Sequence, residues 1–282
     1  MTESQAPAKL AIRSMVCRQE HFATGWYSRW KSIMAFSDGV YDVAPQDVTL
    51  HRKYWEWAAI SQALDERGKL SAGCLGLGFA VGKEPLPSLF ASRGAKVIAT
   101  DLAPDDPDVK EWAPTNQHAA GLDAIYYPNL VARDEFRSRV SFQPADMRRI
   151  NGLPKAHFDF VWSSCALEHL GSLKRGLEFV LAATELLKPG GVGVHTTEFN
   201  VSSQDRTLEH KYNSIFLRKH IESLDVELRK TERCLAEPDY FPGDGEHDRL
   251  FDYPPYYTHG RQHVKLKLGD YVTTSIVLVV LA

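Results

Sequence analysis

Cysteine is scarce in this chain: 282 residues contain four, Cys17, Cys74, Cys165 and Cys234, too far apart to form a CxxC pair. That spacing argues against a zinc knuckle or a disulfide framework, so reduced and mostly buried thiols are expected. Long apolar runs are also missing. The longest, Ile276 to Ala282, falls far short of the roughly 20 residues that a membrane-spanning helix needs. Residues 1 to 9 are polar and lack the apolar block of a signal peptide. A cytoplasmic protein with no membrane span is the expectation, and the sequon Asn200-Val201-Ser202 is then a chance match. Neither sign of charge dominates: 33 Lys plus Arg stand against 36 Asp plus Glu, a formal net charge of −3. Nucleic-acid and polybasic membrane binders usually carry a clear basic excess, so neither kind of partner is favoured.

What is present suits a soluble globular protein: 44% hydrophobic and 24% charged residues. Residues 1 to 70 read as a helical N-terminal extension that caps a substrate site. Trp26, Trp30, Trp55 and Trp57 fall there, HRKYWEWAAISQAL has helical spacing, and no strand alternation is seen. At that spacing the tryptophans read as core before ligand wall. From Ser71 the pattern changes to an apolar run ending in glycines, the amphipathic EPLPSLFASRG and the β-rich KVIATD. VSFQPAD, FDFVWSS, the helical LKRGLEFVLAATELL, a stop at KPGG and GVGVHTTEF follow. Apolar strands alternating with helices predict an α/β, doubly wound, mostly parallel sheet over 71 to 282. In the helix from about Leu173 to Leu187, Leu177, Val180, Leu181 and Thr184 are expected to face the sheet, and Leu217, Ile221, Leu224 and Leu228 repeat the spacing. Two β-prone runs flanking Gly269-Asp270 predict an antiparallel hairpin that ends the sheet. Residues 237 to 262, rich in proline and tyrosine, read as a long irregular insertion.

The run Gly76-Leu77-Gly78-Phe79-Ala80-Val81-Gly82 puts glycine where a strand turns sharply into a helix and where backbone approaches a ligand. Asp101 ends the next strand, 19 residues beyond Gly82, where its carboxylate can accept from both hydroxyls of a ribose. The spacing is GxGxxxG, and Glu84 sits near the N-terminus of the following helix, where it would repel a pyrophosphate. A cofactor with a ribose but no phosphate bridge suits this loop better. A nicotinamide oxidoreductase shares the glycines and the acid, but the YxxxK match, Tyr27 to Lys31, precedes the loop. A scaffold that binds cofactor without turnover is the other alternative.

Four signatures in order, CLGLGFAVG, VIATD, FQPADM and FDFVWSSCALEHL, resemble the seven-stranded class I S-adenosylmethionine-dependent methyltransferases over about residues 71 to 200 plus the final hairpin. The resemblance implies S-adenosylmethionine as cofactor. Gly76, Gly78 and Gly82 would hold its methionine portion, Asp101 with Leu102 its ribose, and Asp146 with Met147 its adenine. Ser163 would join them from the end of the fourth strand. The family often has an acid two positions before the first glycine. Here Cys74 stands there, which leaves the cofactor amino group to backbone carbonyls.

The resemblance also sets the segment Ser163 to His169 beside the transferred methyl group. His169 would take a proton from a substrate hydroxyl near neutral pH, with Glu168 orienting it. LEHL, TTEFN and LEHKYN further resemble metal-dependent O-methyltransferases with an ExxEH segment, which implies Glu168, His169 and His210 as ligands of a divalent ion. Cys165 replaces the first acid of ExxEH and leaves few hard oxygen ligands, so the base is preferred to the metal. The expected acceptor is a small hydroxylated molecule such as a sugar or glycan end, O-methylated against a wall of Tyr253, Tyr256 and Tyr257 beside Arg261 and His263. His247, His259 and His263 read as a loose surface cluster.

Overall fold

The computed structural model describes residues 10–36, 44–112 and 117–282. Its first half runs β1 (Met15–Val16), α1 (Gly25–Met34), α2 (Arg52–Asp65), β2 (Leu75–Phe79), α3 (Leu86–Ser92), β3 (Lys96–Asp101), α4 (Val109–Trp112), α5 (Arg133–Arg139), β4 (Val140–Pro144) and β5 (Phe158–Ser164). The second half runs α6 (Leu173–Thr184), β6 (Leu187–Asn200), β7 (Glu209–His210), β8 (Asn213–Ser214), α7 (Arg218–Arg229), β9 (Cys234–Leu235), α8 (Glu246–Arg249), β10 (Leu266–Leu268) and β11 (Tyr271–Leu281).

The main sheet has the order β1-β11-β6-β5-β2-β3-β4. Strands β6, β5, β2, β3 and β4 are parallel, and the apolar runs of β2, β3 and β5 suit strands covered on both faces. From β2 the chain steps outward through β3 to β4 and then returns to β5 on the other side. The crevice between the carboxyl ends of β2 and β5 is therefore a topological switch point, where open α/β sheets bind ligands.

Several elements differ from expectation in instructive ways. The turn at Gly269-Asp270 forms, with Leu268 paired to Tyr271 and Gly269 at φ +59°, but β11 lies inside the sheet between β6 and β1. The stop at KPGG is part of β6. Phe158 pairs with Leu187 and Phe160 with Val192, so the extra residues bulge out, with Gly190 at φ +76°. Helix α6 ends at Thr184, and its buried face is Leu173, Gly176, Phe179, Val180, Ala183 and Thr184, whereas Leu177 and Leu181 are only partly buried. Gly176 sets that rotation, because a Cβ there would stand 2.7 Å from the Phe216 ring. Helix α7 buries Ile221, Leu224 and Leu228 as the spacing predicts.

Residues before 70 enter the sheet and its core. Strand β1 pairs Met15 with Val277, in a stretch where no strand is expected, and α2 packs on β11, β6 and β5. One apolar cluster joins Trp30 and Trp55 to Phe160, Trp162 and Val279, while α6 and α7 cover the opposite face. Of the cysteines only Cys17 is fully buried.

Candidate active site

A cavity of about 520 Å³ opens at the switch point. Its size is that of a pocket for a small ligand or cofactor. One half of its wall is built from the chain that leaves β2, β3 and β4: Ala80 to Gly82, Asp101 with Leu102, and Ala145 to Arg148. Gly82 is required there twice over. Its φ is +52°, and a Cβ would stand 2.3 Å from the carbonyl oxygen of Gln117. The Asp101 carboxylate gathers this half. Oδ2 accepts from the backbone N–H groups of Gly82 (3.0 Å) and Ala119 (3.1 Å), and Oδ1 from that of Leu102 (2.8 Å). A carboxylate offers about four acceptor positions, so a position remains for a ligand hydroxyl. Burial raises the Asp101 pKa, and the three N–H groups oppose that rise. Asp146 also lines the cavity, gripped by Arg148 Nε at 2.8 and 3.1 Å, beside Met147.

The structure places Gly76, Gly78 and Ser163 beneath this wall, not in it. A Cβ on Gly76 would stand 2.1 Å from the Phe160 ring and one on Gly78 2.3 Å from Trp162, so these glycines make room for rings of the neighbouring strand. Ser163 is fully buried and bonded to His195 Nδ1 at 2.8 Å. Glu84 does line the cavity. It accepts a hydrogen bond from Trp162 Nε1 (2.7 Å), and burial pushes its carboxyl up to about 8.

The other half of the wall comes from α2 and the end of β5. Glu56 is completely buried yet accepts from Lys53 Nζ (3.0 Å), Arg52 Nη1 (3.3 Å), Ser164 and Thr196 hydroxyls (3.2 Å each), the Cys165 thiol (3.0 Å) and the Ser275 hydroxyl. Burial acts to raise its pKa, but Lys53, Arg52 and these donors prevail and hold it at about 2. Arg52 also pairs with Glu198. Sequence reasoning missed this network. Its signal was the charged Arg52, Lys53 and Glu56 inside a helix whose other positions are mostly apolar.

Of the residues expected to do chemistry, His169 reaches the cavity. Its Nδ1 lies 2.6 Å from the carbonyl oxygen of Tyr212, which can only accept, so Nδ1 carries the proton. Glu168 does not reach it: the side chain is buried and accepts from the Thr197 hydroxyl at 2.9 Å. His210 is exposed on β7, outside the cavity wall. Glu168, His169 and His210 therefore do not converge as a metal site. Among the described residues the group of ligand types that does converge is Cys165, Glu168 and Glu198, within 4.8 Å of one another. Arg52 already donates to Glu198 and to Cys165 (3.6 Å), so a fixed cation fills the place an ion would take.

Of the expected aromatic wall, Tyr257 and His263 line the cavity, and Trp57, Tyr127, Tyr212 and His51 join them. Tyr253 instead stacks on His259 at 3.9 Å, the Tyr256 hydroxyl bonds to the carbonyl of Lys267, and Arg261 bonds to that of Phe251. His263, expected at the surface, is 5% exposed and bonded to Asp252. Tyr27 of the YxxxK match is buried in α1, outside the cavity. Among the described residues no helix is long and apolar enough to cross a membrane.

Residues 77–194 match a family model described as a methyltransferase domain. No curated protein matches the sequence. Among solved structures, magnesium protoporphyrin IX methyltransferase from Synechocystis PCC 6803 with bound SAH superposes with a TM-score of 0.51 at 13% identity, over 93% of this chain and 96% of that one. At that identity the likeness establishes the fold alone. A Mesorhizobium loti S-adenosylmethionine-dependent methyltransferase gives a TM-score of 0.44 at 13% identity (78% and 96% covered). Geranyl diphosphate C-methyltransferase from Streptomyces coelicolor A3(2) gives 0.44 at 14% (73% and 79% covered).

Proposed function

We propose that the chain, whose residues 77–194 match a methyltransferase-domain model and whose fold is that of a solved methyltransferase, moves a methyl group from S-adenosylmethionine to a hydroxyl of a small polar acceptor such as a sugar or glycan end. The observation that carries the reading is the two-sided cavity. Gly82, Asp101, Leu102, Asp146 and Met147 wall one half, and the basic and hydroxylic side chains at the ends of α2 and β5 wall the other. The first half suits a nucleoside: a buried carboxylate with an open acceptor position for ribose, and a glycine whose missing side chain admits a ligand close to backbone. S-adenosylmethionine supplies the activated methyl group when bound there. Glu84 stands in the same wall and offers a carboxyl oxygen to the amino group of the methionine portion, where sequence reasoning left only carbonyls.

The second half suits a hydroxyl acceptor. Lys53, Ser164, Tyr257 and two histidine rings, His169 and His263, offer hydrogen bonds to a polar molecule. The His263 ring, kept neutral by burial, gives its hydroxyl proton somewhere to go. Displacement at a methyl carbon needs an oxygen aligned with the breaking bond, and a cavity closed on several sides by polar groups holds it there. The test supplies S-adenosylmethionine carrying a labelled methyl group, together with the small-molecule fraction of the producing cells, and identifies the labelled product by mass analysis. An O-methylated small molecule is expected. Label on nitrogen, on carbon or on protein would overturn the O-methyl assignment.

A further inference from the structure

Asp252 and His263 form a carboxylate–imidazole pair that opens on the acceptor half of the cavity. His263 Nδ1 lies 2.7 Å from Asp252 Oδ2, and Asp252 is completely buried. The pair is fixed from several directions. Asp252 also accepts from the backbone N–H groups of Tyr253 (2.9 Å) and Tyr257 (3.2 Å). The His263 backbone is tied to the start of α2, with its N–H on the carbonyl of Leu50 and its carbonyl on the N–H of Arg52, both at 3.0 Å. Its ring stacks on His51 with centroids 4.7 Å apart.

A carboxylate only accepts, so the Nδ1 proton of His263 points at Asp252 and Nε2 keeps its lone pair. No described residue hydrogen-bonds that Nε2, and the ring lines the cavity. The charged and titratable groups around the ring are Asp252, Arg52, Glu56, His51, Tyr256 and Tyr257. Burial and Arg52 outweigh Asp252 and hold His263 at about 4, which keeps the ring neutral at physiological pH. His169 differs in one respect that matters. Its Nδ1 faces a carbonyl, whereas that of His263 faces a carboxylate able to balance the charge that arises when the ring takes a proton.

We propose that His263 is the catalytic base for the acceptor hydroxyl and that Asp252 is its positioning residue, an assignment that rests on the O-methylation reading above. The acceptor oxygen attacks the methyl carbon, and the carbon–sulfur bond breaks with its electron pair left on sulfur, giving S-adenosylhomocysteine. The hydroxyl proton passes to His263 Nε2, and the imidazolium then returns it to solvent.

The experiment compares wild type with His263→Gln, Asp252→Asn, Asp252→Glu and His169→Gln, using labelled S-adenosylmethionine with the small-molecule fraction as acceptor source. Cofactor affinity, read by calorimetry, is expected to stay within about 3-fold in all five proteins. Transfer should fall about 100-fold or more in His263→Gln, the lower end of what a general base supplies. It should fall at least 10-fold in Asp252→Asn, recover partly in Asp252→Glu and fall less in His169→Gln than in His263→Gln. Nitrogen NMR of wild type at pH 6, which needs neither acceptor nor variant, should find the His263 ring neutral with its proton on Nδ1. A proton on Nε2 instead, or His263→Gln keeping a third of the transfer at unchanged cofactor affinity, overturns the assignment. Failure of wild type to bind S-adenosylmethionine overturns the underlying reading, and the NMR result stands apart from it.

Discussion

Glu56→Gln is the perturbation whose size the structure sets most directly. The carboxylate is fully buried, and its partners include two cations, Lys53 and Arg52, on the same helix. Glutamine keeps the shape but removes the charge and turns one acceptor into a donor facing donors. Removing one member of a buried ion pair costs about 3–5 kcal/mol, because the remaining charge stays buried without compensation. The unfolding entropy, about 2.1 cal/mol/K per residue, applied to 282 residues converts that cost to a melting-point drop of roughly 5–8 °C. The pH dependence follows from the same group. Its pKa falls from 4.5 to about 2 on folding, so its contribution is present above 4.5 and is lost as pH falls from 4.5 towards 2. Urea unfolding of both proteins between pH 3 and pH 7 should give a constant gap down to about pH 5 that narrows below it. A gap under about 1 kcal/mol at pH 7, or one that widens on acidification, would refute the reasoning.

Gly78→Ala should destabilise the fold by about 1–3 kcal/mol, since the new methyl meets the Trp162 ring at 2.3 Å; a variant that unfolds at the wild-type urea concentration would show the strand pair to be looser. Glu84 has its pKa raised from 4.5 to about 8 on folding, so its stabilisation is complete below 4.5 and disappears as pH rises through 8. Relative to Glu84→Gln, wild type should lose at most about 1.4 kcal/mol per pH unit over that window, read from urea midpoints at pH 5, 7 and 9. His210→Ala, and separately exhaustive chelation, should leave labelled methyl transfer within about two-fold, because His210 is outside the cavity wall and Arg52 occupies the nearby acidic group; a chelator-sensitive enzyme would contradict this.

Features written locally were legible in the sequence. The runs KVIATD and FDFVWSS form β3 and β5 because buried parallel strands need apolar, β-branched residues at successive positions. Gly82 and Asp101 could be found because a sharp turn and a strand-end carboxylate leave fixed spacing. What needs a partner from another strand could not. Gly76 and Gly78 resemble ligand-loop glycines until β5 is laid beside β2 and its rings fall over them. Glu56 meets Ser164, Thr196 and Ser275, residues more than 100 positions away. His263 looked like part of a surface cluster because nothing in a histidine- and tyrosine-rich loop indicates that its backbone is tied to Leu50 and Arg52. Glu168 and His169 are adjacent in sequence, yet one side chain turns into the core and the other into the cavity.

The central claim is that the Asp101 half of the cavity binds S-adenosylmethionine, and calorimetric titration of wild type, Asp101→Asn and Asp101→Ala with that cofactor tests it most directly. One molecule per chain is expected in wild type. Each hydrogen bond to the charged carboxylate contributes about 1.5–3 kcal/mol, and about 1.4 kcal/mol is a tenfold change in affinity. Loss of the ribose contact in Asp101→Ala should therefore weaken binding about 10-fold or more, and Asp101→Asn, which keeps one acceptor oxygen, should lie between. No binding by wild type, or a folded Asp101→Ala protein with unchanged affinity, would contradict the account.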